Sequence, residues 1–140
     1  MGFRGGCLCG GIQFEIERQR LSAMHCYCSM CRKAHGTAFS THVVAKSEQM
    51  RWIAGRDLLA TYPSSEHGYR QFCQRCGSQI VAADQAGPGI VGIPIGTLEG
   101  DPQVRMLGHM YTSSKTSWAV IADDLPQYPQ WPPGAGPESK

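Results

Sequence analysis

No apolar run in this 140-residue chain approaches the roughly 20 residues that a membrane-spanning helix needs. Met1 is not followed by a basic segment and then an apolar one, so no secretory leader is expected. The thirteen Lys and Arg residues stand singly or in pairs against eleven acidic ones, and the dense basic stripe of a nucleic-acid binder is missing. Gly-rich phosphate loops, a Ser/His/Asp triad order, paired carboxylates and internal repeats are absent too. These absences set aside membrane proteins, nucleotide-phosphate sites and the commoner hydrolytic constellations. They leave an expectation of one ordinary domain in a reducing, cytoplasmic setting, with 41% hydrophobic residues, enough to bury a core.

What the chain does have is cysteine. Seven residues form three groups: Cys7-Leu-Cys9, Cys26-Tyr-Cys28-Ser-Met-Cys31 and Cys73-Gln-Arg-Cys76. Thiols used as small core hydrophobes would be scattered rather than clustered. A disulfide framework conflicts with the odd number and with the strained ring that a Cys-x-Cys bridge closes. A thioredoxin-like motif at Cys73 to Cys76 would need a helix after it, whereas Gly77-Ser-Gln-Ile-Val-Ala-Ala83 reads as a turn entering a strand. Metal ligation remains, because this spacing is what structural zinc sites use.

Cys26, Cys28 and Cys31 can wrap one ion as a local loop, while Cys7/Cys9 and Cys73/Cys76 are each incomplete alone. Pairing the two incomplete groups gives a closed four-thiolate site that ties distant segments together, and leaves a three-thiolate site with an open position. An incomplete thiolate set suits neither a rubredoxin-like centre nor an iron–sulfur cluster without a further ligand, which favours zinc, two ions per chain. Metal loading deprotonates the thiols, so seven thiolates and two divalent ions take the formal net charge from +2 to about −1. The mildly basic pI of 8.2 then has no meaning for nucleic acid.

Ile12-Gln-Phe14-Glu-Ile16-Glu alternates apolar and polar residues as a half-buried strand does, with Cys7 and Cys9 just before it. Two residues apart on extended chain, that pair is expected to face one metal, with Gly5, Gly6, Gly10 and Gly11 freeing the backbone around it. Ser29 to His35 is the one short-helix candidate near the ligands, with Ser29 as N-cap and Gly36 as stop. Further strand-like pieces are expected at Ala38–Ala45, Met50–Ile53, Leu58–Tyr62, Tyr69–Phe72, Gln79–Ala83, Ile90–Ile95, Val104–Tyr111 and Trp118–Ala122. A mainly β domain of small antiparallel sheets follows, spanning 1–125. The Pro/Gly-rich segment 126–140 is expected to form a tail, mobile at its end and pinned in its first half by Tyr128 and Trp131.

Three stretches carry a resemblance: Gly6-Cys-Leu-Cys-Gly10, His25-Cys-Tyr-Cys-Ser-Met-Cys-Arg-Lys33 and Phe72-Cys-Gln-Arg-Cys-Gly-Ser78, with His109, Lys115, Trp118 and Leu125-Pro126 as a weaker match. In this order and spacing the chain resembles the glutathione-dependent formaldehyde-activating enzymes, whose domain is shared with the eukaryotic centromere protein V. Tyr128 departs mildly, since the family's tail often carries Phe there. The resemblance implies a β-tent fold, a structural zinc on Cys7, Cys9, Cys73 and Cys76, and a catalytic zinc on Cys26, Cys28 and Cys31.

An open three-thiolate site suits a soft fourth ligand such as the thiol of glutathione, which could add to a small aldehyde or leave in the carbon–sulfur lyase direction. Arg32, Lys33 and His35 follow the ligand loop and could hold the carboxylates of the thiol substrate. His25 could orient the loop, while His42, His67 and His109 show no partner spacing, and Ser113-Ser-Lys115 reads equally as an ordinary loop. The competing reading is a zinc-stabilised binding module whose three-cysteine site is inert. The oligomeric state is not encoded in any feature of the sequence.

Overall fold

A computed structural model describes residues 2–83 and 89–135. Ten strands and one α-helix are described: β1 (Phe3–Gly6), β2 (Gln13–Ile16), β3 (Leu21–Cys26), α1 (Ser29–His35), β4 (Ser40–Lys46), β5 (Met50–Ala54), β6 (Leu59–Pro63), β7 (Tyr69–Cys73), β8 (Gln79–Ala83), β9 (Ile90–Pro94) and β10 (Val104–Met110). The fold is mainly β, as the sequence suggests. Short 3₁₀ turns at 47–49, 56–58, 95–97 and 112–114 join elements and were not foreseen.

The strands form a three-stranded sheet in the order β1-β2-β5 and a seven-stranded sheet in the order β10-β3-β4-β9-β8-β7-β6. All pairings are antiparallel except β3 with β10, which run parallel. One buried cluster draws on both sheets, including Phe14 and Ile16 from the first and Val43, Ile80 and Ile93 from the second. The period-2 pattern in β2 explains its share: Phe14 and Ile16 are fully buried, while Glu15 turns outward and meets Arg51 of β5 at 2.8 Å. Each such apolar side chain contributes roughly 1.5–3 kcal/mol when buried.

The 118–122 segment is not a strand. Ala119 is buried, but Trp118 and Val120 are exposed, and the Ala119 N–H closes a turn onto the Thr116 carbonyl. The strand edge it would need is taken: His109 N–H donates to the Pro126 carbonyl and Tyr128 N–H donates to that of His109, so the chain from 126 runs along β10. Tyr128 and Trp131 do pin the tail's first half, the latter by edge-on contact with Tyr111. The expected mobile end, 136–140, lies outside the described residues.

Candidate metal centres

Cys7 and Cys9 occupy the tip of the β1–β2 connection. They do not lie on extended chain, as alternation suggested, but in a tight turn closed by Gly10 N–H to the Cys7 carbonyl and Cys7 N–H to that of Ile12. Curvature, rather than strand pleating, therefore aims both sulfurs one way. Cys73 ends β7 and Cys76 sits in the turn to β8, where Gly77 adopts φ +81°. The two tips meet where Leu8 N–H donates to the Ser78 hydroxyl at 2.9 Å.

All four Sγ atoms lie within 4.8 Å of one another. The Cys7–Cys9 and Cys9–Cys73 separations are 3.5 and 3.9 Å. Tetrahedral bonds of about 2.3 Å require sulfurs about 3.8 Å apart, so a set with these separations could hold a metal ion of zinc's size. Ile12 N–H donates to Cys7 Sγ at 3.2 Å, and hydrogen bonds from Ser78 hold the Cys76 thiol down at about 5. Both donations favour the thiolate that a metal requires.

The second cluster forms where β3 ends. Cys26 closes the strand, Cys28 caps α1 and Cys31 lies in its first turn; their sulfurs also lie within 4.8 Å of one another. The N-cap is Cys28, not Ser29: its sulfur accepts the Cys31 N–H at 3.3 Å. A candidate ligand thus doubles as the helix cap, which fixes the loop and would load negative charge at the helix start. Gly36 ends the helix at φ 62°, as expected.

Cys31 is the sulfur best prepared to be anionic. Hydrogen bonds from Cys26 and Cys28, then Ser40 and Arg70, hold its thiol far below the ordinary value, while Cys28 and Cys31, with burial, push Cys26 up. Arg70, a buried residue of β7, places Nη2 3.6 Å from Cys31 Sγ. Ser40 pairs with Cys26 across β3 and β4, and His42 Nδ1 lies 3.1 Å from its hydroxyl. With that hydroxyl donating to Cys31, its oxygen accepts from His42 Nδ1–H, leaving His42 Nε2 as an acceptor. That atom is buried and has no hydrogen-bond partner among the described residues. Burial holds the His42 ring neutral, at about 4.

A second network anchors Tyr27, between two of the thiols. Its hydroxyl meets His109 Nδ1 at 2.9 Å, and His109 Nε2 donates to Asp123 at 3.0 Å. His25 bonds to the Thr41 hydroxyl at 2.7 Å and stacks on His109, supporting the loop from beneath.

The three residues expected to grip a thiol's carboxylates do not share one face. Arg32 Nε donates to the Tyr27 carbonyl at 3.2 Å. Lys33 is exposed and lines a recess of about 450 Å³ together with Arg70. His35 turns inward, edge-on to His42 at 5.1 Å between ring centroids. None of the three lines the cavity of about 300 Å³ into which Cys26, Cys28 and Cys31 open. Ser40, His42 and Arg70 were missed because they reach the cluster from β4 and β7, and sequence spacing near the cysteines carries no trace of them. His67 is exposed and lies 3.9 Å from the carboxylate of neighbouring Glu66. Lys115 donates to the Ala119 carbonyl at 2.6 Å, supporting the local turn.

Residues 2–114 match the family described as glutathione-dependent formaldehyde-activating enzyme. The chain belongs to that family. A Halomonas elongata protein, itself only provisionally assigned as a glutathione-dependent formaldehyde-activating enzyme, is 26% identical over 125 residues, covering 84% of this chain and 79% of its own. A crystal structure of a Rhodobacter sphaeroides protein superposes with a TM-score of 0.61 at 24% identity, over 74% of this chain and 98% of that one, and supports the fold. The family match stops before Asp123, Tyr128 and Trp131, so those contacts lie outside the matched segment.

Proposed function

We propose that this family member is a zinc-dependent carbon–sulfur lyase or thiol-adduct enzyme acting on glutathione and a small aldehyde, in a reducing compartment. Cys7, Cys9, Cys73 and Cys76 would hold a structural ion, and Cys26, Cys28 and Cys31 a catalytic one. The observation that carries the reading is the three-thiol cluster opening into a cavity, with three donors where a closed site has four.

When bound there, the ion would lower the pKa of an incoming thiol. The chain's own residues do the rest. Arg70 and Ser40 donate to Cys31 and offset negative charge where a further anion must approach. The Tyr27–His109–Asp123 chain holds the loop's backbone still. In the adduct-forming direction the thiol sulfur bonds to the carbonyl carbon, the C=O electron pair moves to oxygen, and oxygen gains the proton the thiol lost. The lyase direction reverses each transfer. Lys33, exposed beside the recess shared with Arg70, is the cation best placed for a substrate carboxylate.

Cobalt-substituted protein titrated with glutathione tests this reading. A new thiolate-to-metal absorption band is expected, and S-methylglutathione, lacking a free thiol, should not produce it. An unchanged spectrum at saturating thiol supports the inert binding module instead. A changed spectrum without faster adduct formation or breakdown than free glutathione shows would leave a thiol-binding protein.

A further inference from the structure

The cavity beside the three thiols is larger and less polar than a formaldehyde adduct requires. Its wall includes Val44 of β4, Ala82 of β8, Ile90 and Val91 of β9, Met110 of β10 and Trp131 of the tail. No Lys, Arg, Asp or Glu lines it among the described residues. Its volume is about 300 Å³, whereas a dry apolar cavity of about 150 Å³ already accepts benzene. A hydroxymethyl group would leave most of that space to water against apolar walls. The charged backbone of glutathione finds no charged partner inside among the described residues and is placed outside, towards solvent or Lys33.

Resting on the thiol-adduct reading above, we infer that this cavity is a subsite for the apolar substituent of a larger aldehyde, a short alkyl chain or a phenyl ring. The substrate is then an S-(1-hydroxyalkyl) thiol adduct rather than an S-hydroxymethyl one. Two further observations point the same way. Trp131, which supplies part of the wall, lies beyond the segment 2–114 that matches the family, so this side of the cavity is not part of the shared motif set. His42 also lines the wall, but its Nε2 is shielded and its Nδ1 is taken up by Ser40, so the ring adds no free polar atom to the cavity.

S-alkylglutathiones imitate the adduct without needing turnover. Calorimetry and tryptophan fluorescence on the zinc-loaded full chain would follow the methyl, propyl and hexyl compounds. Affinity should rise about fourfold per added methylene until the cavity fills, the factor expected for burying a CH₂. Ala82→Leu, narrowing the cavity from β8, should flatten the series. Val44→Phe narrows it from β4 at a half-exposed position and serves if the first variant fails to hold two metals. A flat series in the wild type, or a gradient that survives both variants, overturns the inference. The cobalt titration with glutathione separates the two ideas. A flat series with a thiolate band removes only the subsite, while a steep series without the band removes only the thiol-adduct reading.

Discussion

Replacing Cys73 with Ser should separate the two thiol clusters by the stability each contributes. Cys73 is fully buried at the end of β7, and its neighbour Cys9 is 64 positions away. A cross-link across 64 residues removes about 14 cal/mol/K of chain entropy from the unfolded state, or about 4 kcal/mol at 25 °C. Metal ligation at four converging thiols acts as such a cross-link, because binding energy at a site absent from the unfolded chain is folding energy. The same expression for the Cys26–Cys31 loop, closed over five positions, gives about 2 kcal/mol. At roughly 4 °C per kcal/mol for a chain of this size, zinc-loaded Cys73→Ser should melt about 16 °C below the wild type and Cys28→Ser about 8 °C below. Scanning calorimetry in saturating zinc measures both. A strong chelator should bring all three proteins together to within a few degrees, roughly the cost of a buried hydroxyl. Equal melting of the two variants in zinc, or a gap of the original size after chelation, would refute the division into a cross-linking and an open site.

Two more outcomes are expected. Metal analysis of gently purified protein should give two zinc ions per chain, since the sulfurs converge as four and three; one tightly held ion, or disulfides in place of metal, would contradict the assignment. The His109 hydrogen bond holds the Asp123 carboxyl below its ordinary 3.8, so its contribution is fully present above that value and is lost as pH falls through the lowered one. The stability difference between wild type and Asp123→Asn, which cancels the metal release common to both, should therefore be constant from pH 5 to 7 and shrink below about pH 4; a difference flat down to pH 2 would show that the pair does not form.

Much of this architecture was legible because two local codes are strong. Cysteine spacing grouped the ligands as four and three, and the structure brings the same sulfurs together. Period-2 alternation found Phe14 and Ile16, and turn residues marked most strand ends to within a residue or two. β1 and β3 both escaped; in β1, Phe3-Arg-Gly-Gly6 has little alternation and glycine packs there for a tertiary reason, since a Cβ at Gly5 would meet the Phe14 ring at 2.5 Å. The 118–122 segment misled because its apolar residues include Trp118 and Val120, which face solvent, a choice made by the occupied edge of β10. The lining of the three-thiol cluster was the least legible part. Ser40, His42 and Arg70 converge on Cys31 only after β4 and β7 take their places in the sheet, and no short-range pattern encodes that pairing.

One strand links the two clusters. β7 carries Cys73 at its end and Arg70 three residues earlier, with a register shift between Gln71 and Phe72 opposite β8. Both residues are buried, although strict alternation would put residues three apart on opposite faces, and the irregular register reconciles the two. The four-thiol cluster thus anchors the strand whose guanidinium reaches Cys31 at 3.6 Å. Loosening the end of β7 should move that donor and weaken a charge-assisted contact that helps keep Cys31 anionic. Affinities coupled through Arg70 are reciprocal, even though no thiol of the three-thiol cluster lies on β7 or on the β1–β2 turn. Cys73→Ser and Cys28→Ser should therefore each lower affinity for both ions. Competitive chelator titration of the two variants resolves this: if Cys73→Ser leaves the second ion at wild-type affinity, Arg70 is held by the sheet alone and the clusters are independent.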